Sequence, residues 1–220
     1  MTQWGNSNVV EDYLTALFRA EEWDEEPTTG KLAEVIGVTA STVSATLKKL
    51  NLEGFVNYRP YGDIELTPAG RDIAINVIRR RRIIETYLSE KLGLGAHELH
   101  GEADLLEHAV SPRVLEKMFQ AVGYPTLDPH GDPIPTESGE MTINYGLMLL
   151  ELKAGASATV TRVRDGNPSV VRYLTGVGIT VGTTVTVVEA LSDIATLRLQ
   201  IGEMFQDIPL AVANAVCVSR

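Results

Sequence analysis

Residues Lys31–Phe55, KLAEVIGVTASTVSATLKKLNLEGF, contain two helical segments separated by a short turn at Gly37. Glycine adopts the left-handed conformation that ends a helix at little cost, and Val43, Leu47 and Leu50 recur on one helical face. Two helices joined in this way predict a helix-turn-helix, whose second helix enters the major groove of DNA. An ordinary helical hairpin with solvated or capping hydroxyl groups explains the same pattern.

The residues that follow favour the DNA-binding interpretation. Two short strands near residues 55–58 and 64–66 flank the turn sequence PYGD, which includes Tyr61, and predict a hairpin or wing. Thr67-Pro68 then starts a long helix that runs to about Leu92. The side chains that we expect to contact DNA are hydroxyls and cations: Thr39, Ser41, Thr42, Ser44, Thr46, Lys48 and Arg59. No Arg, Asn or Gln stands early in the second helix, so specificity rests partly on DNA shape and methyl contacts.

Composition sets limits on the class of protein. The chain has 220 residues and a net charge of −10, which by itself argues against binding to phosphate. The acids are concentrated, however, in residues 1–27 and 93–140, whereas residues 28–51 are weakly basic. A single cysteine, Cys217, excludes an internal disulfide framework and a cysteine-rich zinc module. We see neither a secretory signal nor a membrane-spanning apolar run, and therefore expect a cytoplasmic protein.

A helix predicted near residues 97–110 carries His100, Asp104, Glu107 and His108 on one stripe. Two imidazoles and two carboxylates are costly to bury without a cation, which indicates a metal site. A solvated polar face explains the stripe as well. Because successive helical residues diverge by about 100°, Glu107 and His108 would reach one ion only from its flank.

Asp12 is a further candidate ligand. It lies next to Tyr13 and Leu14, within the apolar stripe of a helix predicted near residues 9–20. The helix dipole favours an acid in the first turn, and this explains Asp12 without any ligand role.

Beyond Leu152 the composition changes to Thr- and Val-rich stretches interrupted by glycine, which is typical of a small antiparallel β-domain. We therefore predict a mainly α chain with a small β-domain. The predicted division is a winged helix at 1–72, a helical domain at 73–140, a linker at 141–151 and the β-domain at 152–220.

The order of these motifs resembles the DtxR/MntR family of metal-dependent transcriptional repressors, the diphtheria toxin repressor and manganese transport regulator type. The resemblance covers about residues 8–140 and rests on EDYL at 11–14, TVSxTL at 42–47, LxxxGFV at 50–56, LTPAGR at 66–71, HxEAxxxEH at 100–108 and HGDPIP at 130–135. Residues 152–220 more weakly resemble the SH3-like domain that some members carry, clearest in LTGVGITVGTTVTVVE. The implied fold is a winged helix-turn-helix, a helical dimerisation domain and an SH3-like (FeoA-like) β-barrel.

The resemblance implies a primary metal site formed by Asp12, Asp104, Glu107 and His108. Iron-responsive members have Met and Cys at the positions of Asp12 and Asp104, whereas manganese-responsive members have Asp and Glu. Three carboxylates and one imidazole form a hard ligand set that suits Mn²⁺. We therefore expect Mn²⁺ as the cofactor, with Fe²⁺ as the alternative.

A second site of the family matches less well. Glu85 and His100 fall on its ligand positions, but Arg81 stands where the family has a histidine, and a guanidinium cannot bind a metal. Arg81 is interpreted either as a helix salt bridge to Glu85 or as a permanent charge in place of the second metal. No Glu/Gln pair stands near residues 167–170, so the resemblance implies no ligand from the C-terminal domain.

The resemblance thus implies a Mn²⁺-dependent repressor of metal-homeostasis genes that binds double-stranded operator DNA as a homodimer, and neither an enzyme nor a membrane protein. The dimer face would come from apolar residues of 83–122, which equally suit an intrachain core: Ile84, Leu88, Leu92, Leu105, Val114, Leu115, Met118 and Phe119. Two rivals remain, a carboxylate-histidine metal hydrolase and a winged-helix regulator with a non-metal effector. The first lacks an accompanying Ser or Cys nucleophile and a Gly-rich phosphate loop.

Overall fold

The computed structural model describes residues 7–60, 62–142 and 146–219, so Tyr61 of the predicted wing lies outside the described residues. The chain forms two compact units. The first runs to Arg80 and includes residues 135–140, and the second consists of residues 81–134 and the chain from Met141 onward. The four-part division into domains stays a prediction.

The first unit contains the helix-turn-helix and the hairpin. Its elements are α1 (Ser7–Glu22), α2 (Thr29–Ile36), α3 (Ala40–Leu52), β1 (Val56–Tyr58), β2 (Ile64–Leu66) and the start of α4 (Pro68–Leu92). β1 and β2 pair antiparallel, with Val56 opposite Leu66. Helix α2 packs against α1 and α3, and Leu32, Val43 and Leu47 are buried in that core.

The ends of these helices follow from local sequence. Gly37 ends α2 with a φ of 74°, in the left-handed region that glycine tolerates best. The Thr39 hydroxyl accepts a hydrogen bond from the Thr42 amide and so caps the start of α3. The Thr67 hydroxyl likewise accepts from the Gly70 amide at 3.2 Å, where α4 begins. The turn between α2 and α3 is therefore defined by residues within the sequence stretch that predicts it.

In the second unit, α4 continues to Leu92 and is followed by α5 (Ala96–Glu107) and α6 (Pro112–Ala121). Ile84 and Leu88 of α4 form a buried cluster with Leu99 and Ala103 of α5. Ile84 and Leu88 are two of the apolar residues that suited either a dimer face or an intrachain core, and they lie in an intrachain core.

The C-terminal part of the second unit is an antiparallel sheet with strand order β3-β8-β4-β5-β6-β7. Its elements are β3 (Leu147–Met148), β4 (Ser157–Val163), α7 (Pro168–Gly176), β5 (Thr184–Leu191), β6 (Thr196–Ile201), β7 (Met204–Pro209), α8 (Leu210–Ala213) and β8 (Val216–Val218). β3 pairs with β8, so the sheet starts within residues 141–151, which we expected to be a linker. Leu149, directly after β3, is fully buried in the sheet's core and explains this earlier start.

The predicted fold class is confirmed: the chain is mainly α with a small β-domain, and combines a winged helix-turn-helix, further helices and a C-terminal β-domain of SH3-like type. Among the described residues, no helix is both long enough and apolar enough to cross a membrane.

Gly70 allows α4 to begin against the backbone of Phe55, immediately before β1. A Cβ at this position would lie 2.0 Å from the carbonyl oxygen of Phe55, which is backbone and cannot swing away. We expect Gly70→Ala to lower the free energy of unfolding of the first unit by about 2 kcal/mol or more, as overpacking does. Gly30→Ala in α2 is the control, because its Cβ would meet only the Thr28 hydroxyl at 3.8 Å. Urea unfolding followed by tryptophan fluorescence measures both; equal midpoints for the two variants would contradict the prediction.

Candidate metal centre

Glu85, His100 and Asp165 come together in the second unit. Each offers a ligand atom, and these atoms all lie within 4.8 Å of one another. Helix α5 carries His100 and packs against α7, while Asp165 lies just before Asn167, the N-cap of α7. The His100 Nδ1 atom is 3.4 Å from Asp165 Oδ2. Glu85 and Asp165 are buried and His100 is half-buried, so the group is sheltered from solvent.

The loop of residues 128–133 adds a buried carboxylate and a buried imidazole to this region. Asp128 Oδ1 accepts hydrogen bonds of 2.9 Å from the amides of both His130 and Asp132. Gly131 has a φ of 85°, and a Cβ there would lie 2.0 Å from the Thr161 carbonyl oxygen on β4. The His130 carbonyl accepts from the Val163 amide at 2.9 Å. The loop is thus held against β4 at a position that only glycine fits.

The electrostatics of this loop are unfavourable to a charged Asp128. Burial, followed by the charges of Asp132 and Glu85, raises the pKa of Asp128 well above its usual value, although Arg82 and His130 act in the opposite direction. The buried His130 Nε2 atom has no hydrogen-bond partner in the part of the chain that the structure describes. A cation near Glu85 and Asp128 would lower the pKa of Asp128, and imidazole nitrogens and carboxylate oxygens suit a divalent transition metal.

Counting the buried charges leads to the same conclusion. Among the described residues the buried carboxylates are Glu85, Glu107, Asp128, Asp132 and Asp165, and the buried guanidiniums are Arg81, Arg82 and Arg162. All eight belong to the second unit. The buried carboxylates among the described residues thus outnumber the buried guanidiniums by five to three. Buried charges are costly unless they are paired, and a divalent cation is one group that can neutralise carboxylates.

The stripe on α5 forms a separate arrangement in which Arg81 takes part. Arg81 Nε donates to Glu107 Oε2 at 2.6 Å, and Arg81 Nη2 donates to Asp104 Oδ1 at 2.6 Å. Helix α5 ends at Glu107, and His108 Nε2 lies 3.5 Å from Glu107 Oε1. The helix thus ends before the predicted position near Val110, but its C-cap His108 keeps a right-handed helical backbone (φ −88°, ψ −14°), so the divergence of Glu107 and His108 stays a prediction. Asp12 lies half-buried on α1 in the first unit.

The sequence and the structure differ most at the C-terminal domain. Glu85 and His100 were predicted as a second site, and the structure brings them together. No candidate ligand was predicted in this domain, and the structure adds Asp165 to the same group. Asp128 and His130 were not singled out from the sequence either; both are buried, and the charge of Glu85 acts on Asp128.

The residues predicted to contact DNA lie on α3 and the hairpin. Thr39, Ser41, Thr42, Lys48 and Arg59 are exposed, whereas Ser44 and Thr46 are half-buried. The Thr39 hydroxyl caps α3 and also forms hydrogen bonds with the Ser41 and Thr42 hydroxyls at 2.8 and 2.9 Å. It is therefore already engaged in hydrogen bonds within the chain. Ser44, Lys48 and Tyr58 line an open groove of about 410 Å³ between α3 and the hairpin.

Three consecutive parts of the chain match models of known protein families. Residues 7–64 match the iron dependent repressor N-terminal DNA binding domain, and residues 67–136 match the iron dependent repressor metal binding and dimerisation domain. Residues 147–220 match the FeoA domain.

Individual relatives agree with these matches. The diphtheria toxin repressor of Corynebacterium efficiens is 34% identical over 128 residues, which are 58% of this chain and 56% of that protein. The alignment with that relative thus spans little more than half its length. The iron-dependent repressor IdeR of Mycobacterium leprae is 32% identical over 178 residues, 76% of this chain and 72% of the relative. A solved structure described as a manganese-dependent transcriptional repressor in complex with manganese is 34% identical, with a TM-score of 0.89 over 96% of this chain and 99% of that one.

We expect Asp165→Asn to bind one equivalent of Mn²⁺ fewer than the unaltered chain, because the amide removes a buried anionic ligand from the group with Glu85 and His100. Equilibrium dialysis followed by metal analysis measures the equivalents. Glu203→Gln is the matched control, since Glu203 is an exposed acid of the same unit and its loss should change nothing. Equal stoichiometry and affinity in Asp165→Asn and the unaltered chain would remove Asp165 from the site.

Proposed function

Because the chain belongs to the DtxR/MntR family of metal-dependent transcriptional repressors, we propose that it is a Mn²⁺-dependent repressor of metal-homeostasis genes that binds operator DNA as a homodimer. The observation that carries the proposal is the grouping of Glu85, His100 and Asp165, whose ligand atoms lie within 4.8 Å of one another and are of the types that bind divalent cations.

The choice of Mn²⁺ rests on the chemistry of the ligands. Both proposed sets, Asp12 with Asp104, Glu107 and His108, and Glu85 with His100 and Asp165, contain only carboxylates and imidazoles. Asp128 and His130 would extend the second set with the same donor types. Oxygen-rich sets suit hard ions such as Mn²⁺, whereas thiolate and thioether favour softer ones. Fe²⁺ is the second candidate, because relatives named as iron-dependent repressors match this chain as well.

Metal binding would act on DNA binding through charge. When bound, the ion supplies positive charge to carboxylates that otherwise repel one another. In the primary set, Glu107 and His108 already lie with ligand atoms 3.5 Å apart at the end of α5, and the family resemblance adds Asp12 from α1. A metal-ligated state would favour one arrangement of two recognition helices, as half-sites about one DNA turn apart require.

Apolar residues of the second unit supply a surface for the proposed dimer. Ile84 and Leu88 are buried inside the unit and are not available to a partner. Leu105 of α5 and Val114 of α6 are 72% and 47% exposed, and Leu92 at the end of α4 is 58% exposed. Large exposed apolar side chains on neighbouring helices are typical of an interface between copies.

We expect upstream DNA to be retarded in a gel by the unaltered chain with Mn²⁺ and not with EDTA. Asp12→Ala and His108→Ala should remain folded dimers that no longer bind this DNA at the same Mn²⁺ concentration, because each removes a ligand of the primary set. Size-exclusion chromatography and circular dichroism check the dimer and the fold, and Glu203→Gln serves as the control. Retardation that persists in both variants, or that ignores EDTA, would contradict metal control. Retardation with anaerobic Fe²⁺ but not with Mn²⁺ would favour the iron-responsive candidate.

Lys48 is exposed on α3 beside the groove and is proposed to contact a phosphate. We expect Lys48→Ala to weaken binding by a similar factor on any DNA sequence and to reduce the slope of log K against log salt by about 1, since one phosphate contact is lost. Fluorescence anisotropy over a salt series measures the slope. Lys153→Ala, an exposed lysine of the second unit, should leave it unchanged. A sequence-dependent loss with an unaltered slope would speak for a base contact instead.

A further inference from the structure

Arg81, on α4, interacts with members of both proposed ligand sets. It is 7% exposed, and Glu107, its principal partner, is 1% exposed. Its guanidinium donates to both Glu107 oxygens, from Nε at 2.6 Å and from Nη2 at 3.0 Å, and to Asp104 Oδ1 at 2.6 Å. Two carboxylates of the primary set are thus bound by a side chain that carries a positive charge and cannot release it.

The charge of Arg81 also acts on the second set. Burial by itself lowers the pKa of Arg81, but the hydrogen bond to Glu107 and the charges of Glu107, Glu85 and Asp165 outweigh burial and raise it. Glu85 and Asp165 belong to the group with His100. The same guanidinium therefore interacts with carboxylates of both sets, directly in one and through space in the other.

This geometry changes the role that the sequence assigned to Arg81. A helix salt bridge to Glu85 or a substitute for the second metal was expected. The ligand atoms of Glu85, His100 and Asp165 still lie within 4.8 Å of one another, so that group keeps the geometry of a site. The hydrogen bonds of Arg81 described above run instead to Glu107 and Asp104.

We propose that Arg81 is a built-in counter-ion of both ligand sets, which stabilises the metal-free chain and lowers its affinity for divalent cations. The proposal rests on the proposed function and deepens it, because it names a residue that sets how much metal the chain requires. In the metal-free chain Arg81 offsets part of the carboxylate charge. A divalent ion that binds beside it meets a fixed positive charge and shares Glu107 and Asp104 with it, which weakens binding.

Two neutral substitutions, Arg81→Gln and Arg81→Met, test the charge. Gln keeps a donor for Glu107, whereas Met keeps only the length of the side chain. Both should bind Mn²⁺ about tenfold or more tightly, because a unit charge a few ångströms from the ion has been removed. Their metal-free Tm should fall, and added Mn²⁺ should restore most of the loss. Competition with a fluorescent chelator gives the affinity, and calorimetric unfolding with and without Mn²⁺ gives the Tm.

Arg198→Gln is the matched control. Arg198 also binds two carboxylates, Asp207 at 2.8 and 3.0 Å and Glu189 at 3.1 Å, but on the exposed strands β5–β7 of the same unit. It changes the net charge equally and should leave Mn²⁺ affinity within about twofold of the unaltered chain. Arg81→Lys separates charge from geometry, since it keeps the positive charge without the planar fork, and it should raise Mn²⁺ affinity much less than Arg81→Gln does.

The outcomes separate the proposal from its premise. Affinity in Arg81→Gln equal to that of the unaltered chain overturns the counter-ion role. Weaker affinity also overturns it, since Arg81 would then position Glu107 for the metal. If the unaltered chain binds no Mn²⁺ or Fe²⁺, the proposed function itself fails, and the role of Arg81 falls with it. If both neutral variants are unfolded without metal, the return of helical circular dichroism on adding Mn²⁺ supports the proposal, and no return overturns it.

Discussion

The second unit depends on how its buried carboxylates are neutralised. Asp132 is bound by Arg162, and Arg82 lies 3.8 Å from Asp128 and 3.7 Å from Asp132. Arg82 also donates to the Pro133 carbonyl at 2.7 Å. These contacts connect α4, the loop of residues 128–133 and β4 through charges that are nearly inaccessible to water. Because each ion loses its hydration on burial, such a network is stable only when every charge is offset. A divalent cation bound by Glu85, His100 and Asp165 would add to this neutralisation.

The same constraint gives the C-terminal β-domain a role beyond its own core. Asp165 reaches His100 because α7 packs on α5, and Gly131 lets the 128–133 loop lie directly on the backbone of β4. A ligand group that takes members from α4, α5 and the approach to α7 can form only when the sheet is folded in place. A metal bound there would stabilise the packing of the β-domain on the helices, since it binds the folded unit and not the unfolded chain.

Local signals made the helix-turn-helix predictable, whereas the metal centre depends on contacts that sequence does not display. Gly37 and Thr67-Pro68 act on their immediate neighbours, and the structure has the caps that they predict. His100 and Asp165 are 65 residues apart, and Arg81 and Glu107 are 26 apart. Nothing in residues 160–170 alone identifies Asp165 as a ligand, because its partner is defined by the packing of α5 on α7. The end of α5 was placed too late, near Val110, because the helix stops at Glu107.

The net charge of −10 is compatible with DNA binding once its location is considered. All the buried acids among the described residues lie in the second unit, where they face guanidiniums and imidazoles. On α3 the exposed cations include Lys48 and Lys49, and Lys49 lies 4.0 Å from Glu53, which reduces its effect on a phosphate. With so little exposed positive charge, α3 would gain only modest affinity for DNA from neutralising phosphates. In the proposed dimer, further affinity would come from placing two such helices on DNA at once, because two linked weak contacts bind much more tightly than either one alone. A metal that selects the arrangement of this proposed dimer would consequently have a large effect on operator binding, whereas the same rearrangement would change affinity far less in a protein whose recognition helices are strongly basic.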